Sequence, residues 1–401
     1  MDHKTAIIHE WLVNYAGSER VLEQAVKLFP DADIFCQVDF LEENERDFIL
    51  HKKTTTSFIQ SLPFARQKYR NYLPLMPFAV RRFDVADYDV IISNSHSVAK
   101  GVKKRPGQLQ ICYCHTPMRY AWDLRDQYLR ESGLDRGIKG PVINFVLDRI
   151  RQWDFNTAEQ VDHFIANSHY IQDRIKRCYE RDSAVIYPPV DVDSFTLHEN
   201  KENYFLAASR MVPYKKMDLI VEAFSENGLP LVVIGDGPDF EKVKSRAKNN
   251  VKFLGFQSEK ALIDSMQKAR AFIFAAEEDF GIVPVEAQAC GTPVIAFGKG
   301  GVTETVIPLQ GSGVRGQRPA NTGAIHESPS GKINPTGIFF HEQTVPSVID
   351  AVKKFIEAED SFDPIAIRKN AERFSAERFR REFKNYVDDK IAEFFSTTHT
   401  A

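Results

Sequence analysis

Two carboxylates, Glu278 and Glu286, flank a glycine-containing turn whose backbone could bind an anion. A helix is predicted to begin just after Gly281, and the first turn of a helix leaves N–H groups unpaired and carries partial positive charge. Ile282 and Val283 are the predicted donors, because the proline that follows them has no N–H. A carboxylate beside a phosphate is unfavourable unless it accepts hydrogen bonds from hydroxyl groups. The turn therefore indicates a ligand with a phosphate and hydroxyl-rich ends, which is the chemistry of a nucleotide sugar.

The elements that must position this turn follow from the apolar pattern around it. Ala271–Ala276 has the length of a buried strand, Ile282–Cys290 is compatible with a helix, and Pro293–Ala296 is the next strand. A proline in the first turn of the helix and a glycine just past its end agree with these bounds. Strand, glycine loop, helix and strand form the βαβ unit of a parallel sheet. Taken alone, Glu286 is equally well explained as a residue that complements the helix dipole.

The spacing from Glu278 across seven residues to Glu286 resembles the E-x7-E motif of retaining glycosyltransferases of family 4, which have the GT-B fold. In that family the first Glu contacts the donor sugar, the second holds the ribose hydroxyls, and the turn between them cradles the diphosphate. The resemblance implies a catalytic role for Glu278. It implies donor-binding roles for five residues, namely Phe280, Gly281, Ile282, Val283 and Glu286.

Two cations, Arg210 and Lys215, follow the predicted strand Tyr204–Ala208. A guanidinium fork and an ammonium at the end of a strand could grip a diphosphate. The family has an Arg and a Lys in this arrangement, so the resemblance implies donor binding by both. Lys216 is an adjacent rival for the lysine role, and the alternative is that these charges are only part of the surface.

A first strand–loop–helix pattern runs from Thr5–Ile8 through Gly17 to Arg20–Phe29. A single glycine in such a loop is weak evidence for a ligand, since many similar loops bind nothing. Family members carry a glycine-rich loop here, often Gly-Gly, that faces the donor phosphates. This chain has Ala16-Gly17, so the match is partial, and the resemblance implies donor binding by Gly17.

His115 follows the predicted strand Leu109–Cys114, and in open α/β sheets ligands collect at the carboxyl ends of strands. A lone histidine is more often structural, but this position favours a functional one. In the family a histidine at the end of this strand lies beside the donor sugar, which implies a catalytic role for His115. The stretch HTPMRYAWDL, which begins at this residue, resembles a subgroup of bacterial polysaccharide enzymes that use GDP-mannose-like donors.

The segment from His51 to Phe83 contains seven cations and no acidic residue, and aromatic residues lie between the charges. This composition suits an anionic membrane surface or a lipid-linked acceptor, whereas the alternative is a solvated face with aromatics that belong to the core. Aromatics such as Tyr69, Tyr72 and Phe78 are expected to add interfacial burial if they face outward. The cations are Lys52, Lys53, Arg66, Lys68, Arg70, Arg81 and Arg82, of which the last five are the predicted membrane or acceptor residues.

Composition limits the remaining possibilities. A net charge of −3 over 401 residues indicates no nucleic-acid partner. Five cysteines without paired spacing indicate reduced cytosolic thiols, and no signal peptide or membrane-spanning run is expected. We therefore expect a cytoplasmic protein that is peripheral on the inner face of the cytoplasmic membrane.

These patterns predict two consecutive α/β halves with ligand loops at strand ends, which fits two Rossmann-like domains facing across a cleft. The resemblance implies the GT-B fold, with a C-terminal helix that crosses back to the first domain. The predicted domains are residues 1–187 with the helix at about 378–401, and residues 188–377, where a Gly/Pro/Ser-rich excursion occupies 308–335. Helices are predicted over Val345–Ala358 and Ala366–Phe395.

The predicted function is transfer of a hexose to a polyprenyl-linked saccharide in bacterial surface polysaccharide or lipopolysaccharide synthesis. GDP-mannose is the favoured donor, and no metal or other cofactor is expected. The alternatives are a UDP-sugar-dependent family member, a GT-B-fold epimerase or phosphorylase, or a non-catalytic sugar-nucleotide-binding partner in a membrane glycan assembly complex.

Overall fold

The structure, a computed structural model, describes residues 3–123, 139–310 and 334–398. The chain divides into two compact units, Met1–Pro189 together with Phe379–Ala401, and Val190–Arg378. Each unit is built around a sheet whose described strand pairs are all parallel. Most of the predicted excursion at 308–335 lies outside the described residues. The prediction of two consecutive α/β halves is confirmed.

The strands of the first unit are β1 Thr5–His9, β2 Asp33–Cys36, β3 Thr54–Thr56, β4 Val90–Ser95, β5 Leu109–Cys114, β6 His163–Ala166 and β7 Ser183–Val185. They form one sheet in the order β3-β2-β1-β4-β5-β6-β7. The central strands β1, β4 and β5 are buried along their whole length, as expected where helices cover both faces of a parallel sheet. This order places the carboxyl ends of β1, β4 and β5 side by side.

The helices of the first unit that precede β7 are α1 Gly17–Leu28, α2 Ala65–Lys68, α3 Met76–Val80, α4 Lys139–Ala158 and α5 His169–Tyr179. Helix α1 buries an apolar stripe that includes Leu22 and Val26 against the face of the sheet that carries Ile7 and Ile92. The stripe recurs at helical spacing, so the sequence itself dictates which face of α1 meets the sheet.

The strands of the second unit are β8 Phe205–Ala208, β9 Leu231–Ile234, β10 Val251–Gly255, β11 Phe272–Phe274, β12 Val294–Phe297 and β13 Gly337–Phe340. They form a sheet in the order β10-β9-β8-β11-β12-β13. Its helices are α6 Met217–Asn227, α7 Phe240–Lys244, α8 Glu259–Lys268, α9 Ile282–Ala289, α10 Val302–Thr305, α11 Val345–Glu357 and α12 Pro364–Glu372. The loops after β9, β8, β11 and β12 are therefore neighbours at one edge of the sheet, which is where ligands bind in such folds.

The last helix, α13 Ala376–Thr398, packs into the first unit from Phe379 onwards. The ring of Phe379 lies 5.8 Å from that of Tyr113 on β5, and Phe383 is buried in the same cluster. The predicted C-terminal helical segment is thus present in that unit.

The prediction of one helix over Ala366–Phe395 is wrong, because the chain leaves helical geometry between α12 and α13. The carbonyl of Phe374 in this break accepts a hydrogen bond from the Val190 N–H at 2.9 Å. The phenyl ring of Phe374 is buried and lies 5.5 Å from the ring of Phe280. The break therefore places an aromatic anchor beneath the turn that carries the predicted donor site.

Candidate functional site

The turn before α9 has the geometry that the sequence predicts. Gly281 has φ +86°, a conformation that favours glycine, and α9 begins at the next residue. Within the described residues, the N–H groups of Ile282 and Val283 make no hydrogen bond. Glu286 lies in the same helix and is 3% exposed. Two backbone donors and the positive end of α9 are therefore available for an anion.

A second glycine loop, after β12, packs directly against the backbone of this turn. The Gly301 N–H donates to the carbonyl oxygen of Glu278 at 2.8 Å. A Cβ atom at Gly300 would lie 2.4 Å from that same oxygen, and one at Gly301 would lie 2.4 Å from the carbonyl oxygen of Asp279. Only glycine fits this close backbone approach, so the two loops hold each other in place.

Lys215 and Glu278 form an ion pair at the end of β8 and β11, which are neighbouring strands. Their side chains are 16% and 18% exposed, so the pair is largely shielded from water. Lys216, the rival for the lysine role, has φ +55° and precedes the first residue of α6. The structure thus brings together two predicted site residues, and of the two lysines it is Lys215 that reaches Glu278.

Arg210 lies in the loop after β8 and is exposed. Within the described part of the chain, its guanidinium makes no hydrogen bond or ion pair. The backbone on either side of it is fixed, because the Met211 N–H donates to the carbonyl of Asp236 at 2.8 Å. A Cβ atom at Gly235 would lie 1.9 Å from the carbonyl oxygen of Ser209, so the loop after β9 packs directly on this segment. Arg210 is therefore an uncommitted cation on a rigid support.

The Phe280 side chain is buried in the second unit against Phe374. Its phenyl ring anchors the turn, and only its backbone remains for a ligand. The side chain thus has a structural role, and donor binding by Phe280 stays a prediction.

In the first unit, His115 is tied to a chain of polar side chains at the carboxyl ends of β1, β4 and β5. Its Nε2 lies 2.6 Å from Oδ1 of Asn94, and Nδ2 of Asn94 lies 3.1 Å from Nδ1 of His9. Nε2 of His9 lies 3.2 Å from a carboxylate oxygen of Glu19. We call Glu19, His9, Asn94 and His115 the polar chain. Burial, together with the neighbouring His96 and His9, lowers the pKa of His115 to about 3, so its imidazole is neutral at physiological pH.

Gly17 occupies the first turn of α1, where an acidic side chain already lies. A carboxylate oxygen of Glu19 accepts from the Ala16 N–H at 3.0 Å, and the other accepts from the hydroxyl of Ser18 at 2.9 Å. Burial alone would raise the pKa of Glu19, but the hydrogen bonds from His9 and from the Ser18 hydroxyl hold it below its ordinary value. An ionised carboxylate at this helix end does not favour a second anion, and donor binding by Gly17 stays a prediction.

The loop after β4 is also occupied by an acid of the chain itself. Glu10 is fully buried, and its carboxylate accepts hydrogen bonds from the backbone N–H groups of four consecutive residues at 2.7–3.1 Å. The hydroxyl of Ser95 donates to it as well, at 3.0 Å. The residues at these strand ends, Glu10 and the polar chain apart from His115, are those that the sequence reasoning missed. Their only signal is that polar residues directly follow or end buried strands.

The basic segment of the first unit presents both charges and apolar side chains to solvent. Phe64 is 73% exposed and Phe78 is 58% exposed, while Tyr69 is buried in the core. Of the aromatics that would add interfacial burial if they face outward, Phe78 meets this condition and Tyr69 does not. All five predicted cations are exposed: Arg66, Lys68, Arg70, Arg81 and Arg82. Arg66 pairs with Glu42, an acid outside the segment.

Two models of known protein families match the chain, and the boundary between them lies close to the boundary between the two compact units. Residues 15–194 match the family model described as Glycosyltransferase Family 4, and residues 191–328 match that of Glycosyl transferases group 1. A GDP-mannose-dependent monoacylated alpha-(1-6)-phosphatidylinositol monomannoside mannosyltransferase of Corynebacterium glutamicum is 35% identical over 27% of this chain and 32% of its own length. The O-antigen chain mannosyltransferase RfbU of Salmonella typhimurium is 30% identical over 35% of this chain and 43% of its own length.

The matched segments thus span less than half the length of these curated relatives. The crystal structure of Anabaena Alr3699/HepE in complex with UDP and glucose covers 96% of this chain and 100% of its own, with 17% identity and a TM-score of 0.67. The predicted GT-B fold is confirmed, and the two family models, matched one after the other, together cover residues 15–328 of the chain. No helix within the described ranges is long and apolar enough to cross a membrane.

Proposed function

We propose that the protein is a retaining glycosyltransferase that transfers mannose from GDP-mannose to a lipid-linked saccharide acceptor of bacterial surface polysaccharide synthesis. The observation that carries this proposal is the edge of the second sheet, where Arg210, the first turn of α9 and the pair Lys215–Glu278 follow neighbouring strands. The cations and the N–H groups are suited to bind a diphosphate, and the carboxylates are suited to accept hydrogen bonds from the hydroxyls of a sugar.

The same groups can promote departure of the nucleoside diphosphate. As the bond between the sugar and the phosphate breaks, negative charge grows on the leaving phosphate oxygen. The N–H groups of Ile282 and Val283 are fixed before the reaction, so they stabilise this charge without reorganisation, and Arg210 adds a cation that is carried on a rigid backbone. In the proposed reaction the departing phosphate assists attack on the same face of the sugar, and His115 contacts the transferred sugar.

We propose that the reaction needs no metal ion, because Arg210, Lys215 and the end of α9 supply positive charge at the diphosphate. The test is transfer activity after treatment with EDTA, which we expect to be retained. Complete loss on chelation that is restored by Mg²⁺ or Mn²⁺ would show that the diphosphate is held in another way.

The choice of GDP-mannose is supported by the names of two relatives, a GDP-mannose-dependent mannosyltransferase and an O-antigen chain mannosyltransferase. A thermal-shift series with GDP-, UDP-, ADP- and dTDP-sugars tests it directly. We expect the largest stabilisation with GDP-mannose, since a ligand that binds only the folded state raises the melting temperature. A larger shift with a UDP-sugar would replace the donor while retaining the enzyme class, and no shift with any of the four would reject the function.

The proposed acceptor is membrane-bound, and the basic segment is the surface proposed to dock on anionic lipid. The exposed rings of Phe64 and Phe78 lie among its cations, with the guanidinium of Arg82 4.9 Å from the centre of the Phe78 ring. Each well-placed cation near an anionic surface contributes about 1 kcal/mol, and an exposed ring adds interfacial burial.

Co-sedimentation with phosphatidylglycerol vesicles tests this docking. We expect binding at low salt that fades at high salt, and loss of binding when Lys68, Arg70 and Arg82 are changed to Glu, with GDP-mannose binding unchanged. A matched control changes three exposed cations of the second unit, Lys242, Lys244 and Arg246, to Glu. If the unmodified protein ignores anionic vesicles at low salt, the acceptor is recognised as a soluble glycan.

A further inference from the structure

The orientation of the Asn94 amide is fixed by a group that can only accept. Its Nδ2 lies 2.9 Å from the backbone carbonyl oxygen of Ser18, so the NH₂ group must face that oxygen. The second hydrogen of the NH₂ group then points to Nδ1 of His9 at 3.1 Å. Oδ1 is left to face His115, whose Nε2 lies 2.6 Å away. A reversed amide would place two acceptors against each other at Ser18.

This orientation determines the proton positions on both histidines. Nδ1 of His9 accepts from Asn94, so the proton of His9 is on Nε2, from which it donates to the Glu19 carboxylate. Nε2 of His115 must donate to Oδ1 of Asn94, because an amide oxygen has no proton to give. The donors all point in one direction, from His115 through Asn94 and His9 to an anion. Hydrogen bonds aligned in this way polarise one another.

The remaining nitrogen of His115, Nδ1, is then an acceptor with a free lone pair. The ring is partly exposed, and within the described residues its only hydrogen bond is the one to Asn94. Its other close neighbours are rings, those of Tyr113 at 5.1 Å and His96 at 6.3 Å between centres. The groups that face it from the adjoining elements are His96, His9 and Glu19, and burial with the two histidines keeps the ring neutral.

We infer that Glu19, His9 and Asn94 are positioning residues that lock His115 in the tautomer protonated on Nε2, so that Nδ1 accepts a hydrogen bond from a hydroxyl of the transferred sugar. The sugar part of this inference rests on the proposed function. His115 would then orient a hydroxyl and would not act as a cation or as a donor. Within the chain, Asn94 is the central member, because it contacts both histidines and the Ser18 carbonyl.

The tautomer is measured on the full-length, ligand-free protein by long-range ¹H–¹⁵N correlation with ¹⁵N-labelled histidine. The His115 signals are identified by their loss in His115→Asn. We expect Nδ1 to be unprotonated and Nε2 protonated, with no change between pH ~5.5 and pH ~8, because this whole range lies above the His115 pKa of about 3. A proton on Nδ1, or an imidazolium at neutral pH, would overturn the inference whatever the enzyme transfers.

Asn94→Asp and Asn94→Ala separate positioning from simple structural support. The Asp variant keeps an acceptor for Nε2 of His115 but cannot donate to Ser18 or His9, and its charge should raise the pKa of His115 into the measurable range. The Ala variant should give a mixture of both tautomers and a transfer rate lower by about 10- to 100-fold. His163, on β6 in the same unit, reports on the fold through its own signals, which should not move. If His115 keeps its single tautomer in Asn94→Ala, Asn94 does not position it.

GDP and GDP-mannose form a matched pair of ligands for the last step. GDP-mannose should shift the His115 Nδ1 signal as the nitrogen accepts a hydroxyl hydrogen, and GDP, which has no sugar residue to transfer, should not. If GDP-mannose raises the melting temperature without moving this signal, the role of Nδ1 is wrong and the proposed function stands. If no nucleotide sugar binds, the proposed function fails together with the hydroxyl contact, while the ligand-free spectrum alone decides the tautomer.

Discussion

Replacing Glu278 with Gln should raise the affinity for GDP and leave the affinity for GDP-mannose unchanged or lower. In the ligand-free protein the carboxylate pairs with Lys215, and the two side chains are 18% and 16% exposed. A diphosphate at the first turn of α9 must share Lys215 with this carboxylate and is repelled by it. Glu278→Gln removes the repulsion and releases the ammonium group, so GDP should bind more tightly.

The size of the effect follows from the charges involved. A carboxylate and one phosphate charge ~8 Å apart in an effective dielectric constant of ~40 repel by ~1 kcal/mol, which is about a five-fold gain in GDP affinity on removal. The sugar hydroxyls lose their bonds to an ionised acceptor, and a neutral amide oxygen replaces only part of them, a loss of ~1–2 kcal/mol. The ratio of GDP-mannose affinity to GDP affinity should therefore fall by about 5- to 30-fold.

Isothermal titration calorimetry measures the affinities for both ligands. It is carried out on the unmodified protein and on the variants Glu278→Gln and Lys215→Met. Lys215→Met should weaken both ligands similarly, by ~1–2 kcal/mol, because this residue is assigned to the diphosphate that they share. Circular dichroism of each variant checks that the fold is intact. If Glu278→Gln weakens GDP as much as GDP-mannose, the carboxylate supports the loop and does not read the sugar, and the reasoning fails.

Three further predictions concern the other parts of the molecule. Arg210→Ala should lower the affinity for GDP-mannose by about 10- to 100-fold in calorimetry, because a charge-assisted contact is lost. The control Arg246→Ala removes a cation that is paired on the surface of the same unit and should leave this affinity unchanged. Gly301→Ala should lower both GDP-mannose affinity and stability by ~1–3 kcal/mol, because its Cβ would lie 2.4 Å from the carbonyl oxygen of Asp279 and displace the turn, as urea unfolding would show. Burial lowers the pKa of His115 to about 3 and also lowers the pKa of His96, so the unfolded chain binds more protons than the folded one below pH ~6.5. The free energy of unfolding should therefore decrease as the pH is lowered, by at most ~1.4 kcal/mol per pH unit for each histidine. An equal pH dependence in His96→Asn would contradict this.

The turn of the second unit was predictable because its signals are local in sequence. An apolar run, a glycine, a proline one turn later and a second glycine define strand, loop and helix without reference to the rest of the chain. The structure places α9 at Ile282–Ala289 and β12 at Val294–Phe297, within one residue of the predicted bounds. The preceding strand, Phe272–Phe274, is shorter than predicted, because an apolar run marks burial and not the extent of strand pairing.

The polar chain could not be predicted in the same way. His9, Asn94 and His115 follow or end strands that are adjacent only because β1, β4 and β5 are adjacent in the sheet, and the sequence does not contain that order. The same limit applies to the break before α13. Its residues are compatible with a helix, but pairing with Val190 and burial of Phe374 override this local preference.

The acids of the chain distinguish the strand ends that hold a ligand from those that resemble them. The loop after β4 has its backbone donors satisfied by Glu10, and at the start of α1 the carboxylate of Glu19 accepts from the Ala16 N–H. Each of these acids neutralises a positive end that could otherwise attract a phosphate. The N–H groups of Ile282 and Val283 in the first turn of α9 have no such acceptor among the described residues, and Glu278, which precedes this turn, is itself paired with Lys215. The first turn of α9 therefore combines open backbone donors with no acidic side chain bonded to them, a difference that glycine content alone does not show, and we assign the diphosphate to α9.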